Sequence, residues 1–136
     1  DYDISSSLAT SVSQRLVRRI CPNCKKEREF NDKEKEIITK IAQKYGQEVN
    51  FDGLKTYDAV GCKQCNNLGY YGRIGLFEIL DITEELKELI VKGASTIEIR
   101  KKAMEQNYKP LILDGINKVL SGYTTLDELN KQLIIY

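Results

Sequence analysis

Four cysteines constrain this chain more than any other feature. They stand as Cys21 and Cys24 in ICPNC and as Cys62 and Cys65 in GCKQC, two C-x2-C pairs on either side of residues 25–61. Pro22 and Asn23 lie inside the first turn and Gly61 leads into the second, so each turn can aim two thiolates at one point. Four sulfurs suit a tetrahedral Zn²⁺ with Zn–S bonds of ~2.3 Å, and a closed four-ligand site is structural rather than catalytic. Four free buried thiols would not need paired spacing. A disulfide framework requires an exported chain, and the N-terminus DYDISSS has no secretion-signal pattern. A thioredoxin-like redox pair wants one C-x-x-C in a βαβ setting, whereas this chain offers two without it. The expected cofactor is one structural Zn²⁺ held by Cys21, Cys24, Cys62 and Cys65.

The rest of the composition mainly excludes. Histidine is absent, which removes mixed Cys/His metal sites and the usual general base near neutral pH. Neither G-x-x-x-x-G-K-[ST] nor G-x-G-x-x-G occurs, so the chain alone is not expected to be an enzyme that hydrolyses nucleotide. Lys and Arg number 21 against 20 Asp and Glu, leaving a formal charge of +1 and no global field toward nucleic acid or lipid. No apolar run reaches the ~18 residues of a membrane span. The chain reads as soluble and, lacking an initiator Met, as a piece of something longer.

Along the chain, Ile4, Leu8, Val12 and Leu16 recur every fourth position, which predicts an amphipathic helix over 1–20. Without a partner its apolar stripe would fold back or pair between copies. Asn31 or Asp32 caps a second helix whose apolar face is Ile37, Ile38, Ile41, Ala42 and Tyr45, with Gly46 as its stop. Thr56 to Val60 is a strand candidate that delivers Gly61 and Cys62. After Cys65, GYYGRIGLFEIL reads as a short strand covered on both faces. Four capped helices follow: Glu84 to Lys92 behind Thr83, a helix from the Ser95 to Glu98 capping box to about Gln106, one starting at Pro110 and stopped by Gly122, and one opened by Thr125 and Glu128. The fold class is therefore α+β and mainly helical. A two-knuckle, four-cysteine zinc module with small β elements (21–68) precedes a short strand and a compact four-helix subdomain (69–136).

The order QRLVRRICPNC, GCKQCNNLGYYGRIGLFEIL and LDGINKVLSGYTTLDEL resembles the C-terminal part of the type II secretion and type IV pilus assembly ATPases, over nearly the whole chain. The matching signatures are Gln14 to Arg18, the tetracysteine module, Gly69 to Arg73, and a D-G to T-T ending at Asp114 to Thr125. Tyr108-Lys109-Pro110 departs from the Gly-Met usual in that family before the D-G helix. The resemblance implies a hexameric motor that couples ATP hydrolysis to pilus or pseudopilus assembly, with its phosphate loop, ATP and Mg²⁺ sites upstream of residue 1. The tetracysteine module favours assembly or secretion over retraction. Residues 1–20 would then be the last helix of the RecA-like core. The implied partners are the missing core, neighbouring subunits of a homo-hexamer and an inner-membrane platform protein, in the cytoplasm and peripheral to the membrane; no nucleic acid is expected. Arg73 would lie near the seam between metal module and core and support hydrolysis, and Arg15 and Arg18 would be candidates for subunit contacts.

Two alternatives stay open. From Arg15 to Arg28 there are six basic residues and one acid, and this excess could simply neutralise the formal −2 charge of zinc with four thiolates. Paired C-x2-C turns beside basic residues also describe zinc ribbons that bind nucleic acid or other proteins, although the first knuckle lacks the interleaved aromatics that single-strand binding needs.

Overall fold

A computed structural model describes residues 9–105 and 110–133. Its backbone is a long antiparallel ribbon, β1 (Ala9–Ile20) against β4 (Tyr70–Ile82), with the other elements either inserted between the two strands or following the second. The insertion holds a small second sheet, β2 (Lys26–Arg28) with β3 (Thr56–Asp58), and the helix α1 (Asp32–Lys44). Behind β4 come α2 (Glu84–Val91), α3 (Thr96–Glu105), α4 (Leu111–Leu120) and α5 (Leu126–Leu133). The class is α+β, as the sequence predicts, with four helices after the strand.

The first segment corrects the expectation: residues 9–20 form a strand, not a helix, while Ile4 and Leu8 lie outside the described residues. A spacing of four does not separate the two, because four is also a multiple of the strand's period of two. The deciding contrast is between neighbours. Leu16 is exposed while Val17 is buried, and the register sets Val17 opposite Ile74 and Leu16 opposite Gly75. The segment neither folds back as a helix nor needs a second copy here; it pairs with β4 of its own chain. That strand runs for 13 residues rather than the short span expected.

One face of the ribbon, carrying Val17 and Leu76, joins Phe30, Ile38, Ile116, Val119, Leu126 and Leu129 in a single core. Each helix forms for a local reason. In α1, Asn31 and Glu34 form a reciprocal capping box, and Ile38 and Ala42 are the buried positions. Arg28 on β2 ties this helix to the small sheet, with Nη1 and Nη2 on the Glu34 carboxylate (2.7 and 2.8 Å) and Nε on Asp58 (2.8 Å). Thr83 caps α2 and Ser95 caps α3. Pro110 stands immediately before α4, so that helix begins at Leu111. Within α4, Gly115 lies so close to α5 that a Cβ would meet Leu129 Cδ1 at 2.4 Å. Asp114 reaches back to β4, its Oδ2 accepting from the Phe77 N–H (2.9 Å).

Candidate metal centre

The four cysteine sulfurs converge. All four Sγ atoms lie within 4.8 Å of one another. The separations Cys21–Cys62 and Cys24–Cys65 are 3.8 Å, and Cys62–Cys65 is 3.7 Å. A regular tetrahedron of sulfurs at ~2.3 Å from a central zinc has edges of ~3.8 Å, whereas a disulfide would bring two sulfurs to ~2.05 Å. The spacing therefore fits one tetrahedral ion and no disulfide.

The local backbone builds the two knuckles at the same end of the ribbon, one after β1 and one before β4. Cys21 follows β1 directly, and the Lys25 N–H closes the first turn on the Cys21 carbonyl (3.1 Å). The second knuckle is a short 3-10 turn, Lys63–Cys65, followed by Asn66 and Asn67 in left-handed conformation at φ of 55° and 62°. Asparagine is the non-glycine residue that best tolerates that region. Gly61 is required, with φ of 109° and a would-be Cβ 2.9 Å from the Asn67 carbonyl oxygen.

Several N–H groups already point at sulfur. Gly61 N–H donates to Cys24 Sγ (3.3 Å), Cys62 N–H and Gly69 N–H to Cys65 Sγ (3.2 Å each), and Asn23 Nδ2 to Cys62 Sγ (3.3 Å). The Asn23 bond draws the Cys62 thiol well below its usual range. Burial pushes the Cys65 thiol up, and the two backbone N–H groups more than reverse it. Desolvation holds the Cys24 thiol high against the Gly61 N–H. Donors aimed at sulfur favour the thiolate, the form that binds metal. Cys21 and Cys65 are buried and Cys24 and Cys62 half-buried, so the centre is closed, as a structural site should be.

The arginines singled out from sequence divide. Arg18 is engaged within the chain: its Nε and Nη2 contact Glu128 Oε1 at 3.0 and 2.9 Å, and its guanidinium lies over the Tyr70 ring at 4.2 Å. Arg15 Nη1 donates to the Gln132 carbonyl in the last turn of α5 (3.1 Å), a favourable place for a cation. Both arginines thus anchor α5 to β1. Arg73 sits directly opposite Arg18 in the ribbon, exposed, and its side chain makes no hydrogen bond or ion pair among the described residues. Of the other basic residues in the run, Arg28 is paired with carboxylates, Arg19 lies over Tyr123 and Lys25 over Tyr57. Neutralising the metal centre is not the task of Arg18 or Arg28.

Sequence reasoning missed Glu128 as a site residue. The capping box expected at Thr125 and Glu128 is half formed: the Glu128 N–H donates to Thr125 Oγ1 (3.1 Å), but its carboxylate turns to Arg18. The available signal was its place beside Leu129 on the inward side of a short helix, where a solvated cap residue has no reason to be.

Comparison with known proteins identifies a family. The family model described as Type II/IV secretion system protein matches residues 1–131. The chain is 35% identical over 127 residues to a type IV pilus assembly ATPase PilB of Myxococcus xanthus, an alignment covering 93% of this chain and 21% of that protein. It is 36% identical over 128 residues to the PilB of Thermus thermophilus (94% of this chain, 14% of that protein). It is 39% identical over 130 residues to the type II secretion system ATPase E of Vibrio cholerae (93% and 23%). The chain thus spans no more than about a quarter of the length of these relatives. With residues 1–131 matched, the chain belongs to the type II/IV secretion system protein family.

Proposed function

We propose that this chain is the C-terminal, zinc-stabilised portion of a motor ATPase that couples ATP hydrolysis to pilus or pseudopilus assembly. The observation that carries the reading is the tetrahedral spacing of Cys21, Cys24, Cys62 and Cys65 at the open end of the β1–β4 ribbon. These four residues would hold Zn²⁺ as thiolates, and the ion would supply structural cross-linking rather than chemistry. ATP and Mg²⁺ belong to the longer parent, because no phosphate loop occurs in this sequence. In the parent, Arg73 is the residue of this chain best placed to reach a neighbouring core or subunit, being exposed and held by a paired strand. The homo-hexamer, the inner-membrane platform protein and the cytoplasmic, membrane-peripheral location are parts of the same proposal. No described helix is long and apolar enough to cross a membrane.

A nucleic-acid or protein-binding zinc ribbon is the alternative. It is disfavoured because Arg15, Arg18 and Arg28 make local contacts instead of presenting a basic face. The test is elemental analysis with chelation. One zinc per chain is expected, and its removal should unfold the region between the knuckles. Well-folded protein without metal, and with all four thiols open to alkylation, would end the reading.

A further inference from the structure

We propose that the turn between α4 and α5 is part of what retains the metal, with Thr124 and Glu128 acting as positioning residues for Cys21 although neither touches a sulfur. The proposal rests on the structural-metal reading above. What carries it is a series of hydrogen bonds linked through consecutive residues at the end of β1. From Arg18 onward the outer edge of β1 is occupied by the α4–α5 turn: Glu128 Oε2 accepts from the Arg18 N–H (2.8 Å), Thr124 Oγ1 donates to the Arg18 carbonyl (2.8 Å), and the Ile20 N–H donates to the Tyr123 carbonyl (2.9 Å). The next residue is Cys21. Its own N–H donates to the Gly69 carbonyl (3.0 Å), and the Gly69 N–H donates to Cys65 Sγ (3.2 Å). Tyr70 OH, 2.7 Å from Thr125 Oγ1, fastens the neighbouring strand to the same turn.

The two ligands reached by this series are the buried ones, Cys21 and Cys65, one from each knuckle. Thr124 and Glu128 are both fully buried, so water is poorly placed to replace their bonds to Arg18. The coupling must also be reciprocal: whatever factor the metal contributes to docking the turn, the docked turn contributes to holding the metal.

The test measures zinc affinity by equilibrium competition with a colorimetric chelator on the full chain, for wild type, Thr124→Val, Glu128→Gln and Gln47→Ala. The Gln47 side chain makes an exposed contact with Asn117 (3.0 Å), away from this series, and serves as control. Thr124→Val and Glu128→Gln are expected to weaken zinc binding by about 5-fold or more, the lower end of usual coupling, with Gln47→Ala unchanged. In wild type, zinc removal should speed amide exchange at Arg18 and Ile20. If Glu128→Gln fails to fold, Thr124→Val decides alone. Folded variants that hold zinc as tightly as wild type overturn the proposal while leaving the metal reading intact. A wild-type chain that takes up no zinc overturns both, and does so before any variant is compared.

Discussion

The contact between Arg18 and Glu128 allows a stability prediction whose terms can be worked separately. Glu128 has 0% side-chain exposure and Arg18 38%. Glu128→Ala removes the acceptor of the Arg18 N–H at the strand edge, and an orphaned buried donor costs about 1–3 kcal/mol. It also removes the ion pair, but the half-exposed guanidinium can turn to water, so this term adds only about 0–1 kcal/mol. The expected loss is about 1–4 kcal/mol. Arg18→Ala differs in kind, because it strands a carboxylate inside the protein with only the backbone N–H of position 18 and Gln132 Nε2 as partners among the described residues. Breaking a buried pair from that side costs about 3–5 kcal/mol. The double variant should then lie below the sum of the singles by about 1–2 kcal/mol. The stacking of Arg18 on Tyr70 is lost in both Arg18 backgrounds and cancels in the cycle. Glu128→Leu is the sharper control. Buried ion pairs can often be replaced by apolar residues at little cost, but here leucine would leave the Arg18 N–H without an acceptor, so the variant should remain destabilised. The assay is urea unfolding of the zinc-loaded chain at constant m. Additive single-variant losses, or Glu128→Leu as stable as wild type, would refute the reasoning.

Three further outcomes are expected. Hydrogen bonds from Arg28 hold the Glu34 carboxyl below its usual range despite partial burial, so the pair stabilises fully above the ordinary carboxylate pKa of ~4.3 and loses its effect as pH falls through the lower folded value. The melting temperature of wild type should therefore fall more steeply than that of Glu34→Gln on acidification below about pH 5, acid release of zinc being common to both. Gly115→Ala gains about 0.5–1 kcal/mol of helix propensity but drives a Cβ to 2.4 Å from fully buried Leu129, an overpacking of about 1–3 kcal/mol; chemical denaturation should show net destabilisation, partly relieved by Leu129→Val. In the assembled parent motor, Arg73→Ala should lower ATP hydrolysis strongly at unchanged melting temperature and zinc content, with Arg73→Lys a poor substitute because it lacks the planar fork; normal turnover in Arg73→Ala would remove this residue from the functional set.

The metal site and the helical half were legible in sequence because their signals are local. C-x2-C fixes two sulfurs within one turn, and Asn31, Thr83, Ser95 and Thr125 each act within three residues of themselves. What was not legible depends on pairing across the chain. Whether residues 9–20 coil or extend is decided by β4, some fifty residues later, and an apolar spacing of four is silent on the choice. Glu128 carried a local meaning, the capping box, that competed with a long-range one, and the long-range bond to Arg18 won because the edge of β1 is buried there. Likewise the D-G and T-T ends of the Asp114 to Thr125 stretch acquire roles only once β1 and β4 are in place: Asp114 holds the Phe77 N–H, Gly115 admits Leu129, Thr124 holds the Arg18 carbonyl and Thr125 meets Tyr70.

The position of the metal follows from the ribbon. Two long antiparallel strands are ordinarily joined by a turn of two to five residues that also sets their register. Here the paired residues end at Ile20 and Tyr70, after a bulge, and a whole helix and a second sheet intervene before the chain returns. No tight turn is available to fix the register, and a slip of one residue would carry Val17 and Leu76 from the core to the solvent face. Cys21 stands immediately beyond the last paired residue of β1 and Cys65 five positions before Tyr70, so an ion joining them would close the ribbon where a hairpin turn otherwise would. Its effect extends inward because Phe30 and Ile38, from the inserted segment, lie in the same core as Val17 and Leu76. Metal loss should therefore be felt first not at the knuckles but as a loosening of the β1–β4 register at Arg18 to Ile20, the stretch whose two ends are hydrogen-bonded from outside by the α4–α5 turn and the start of α5.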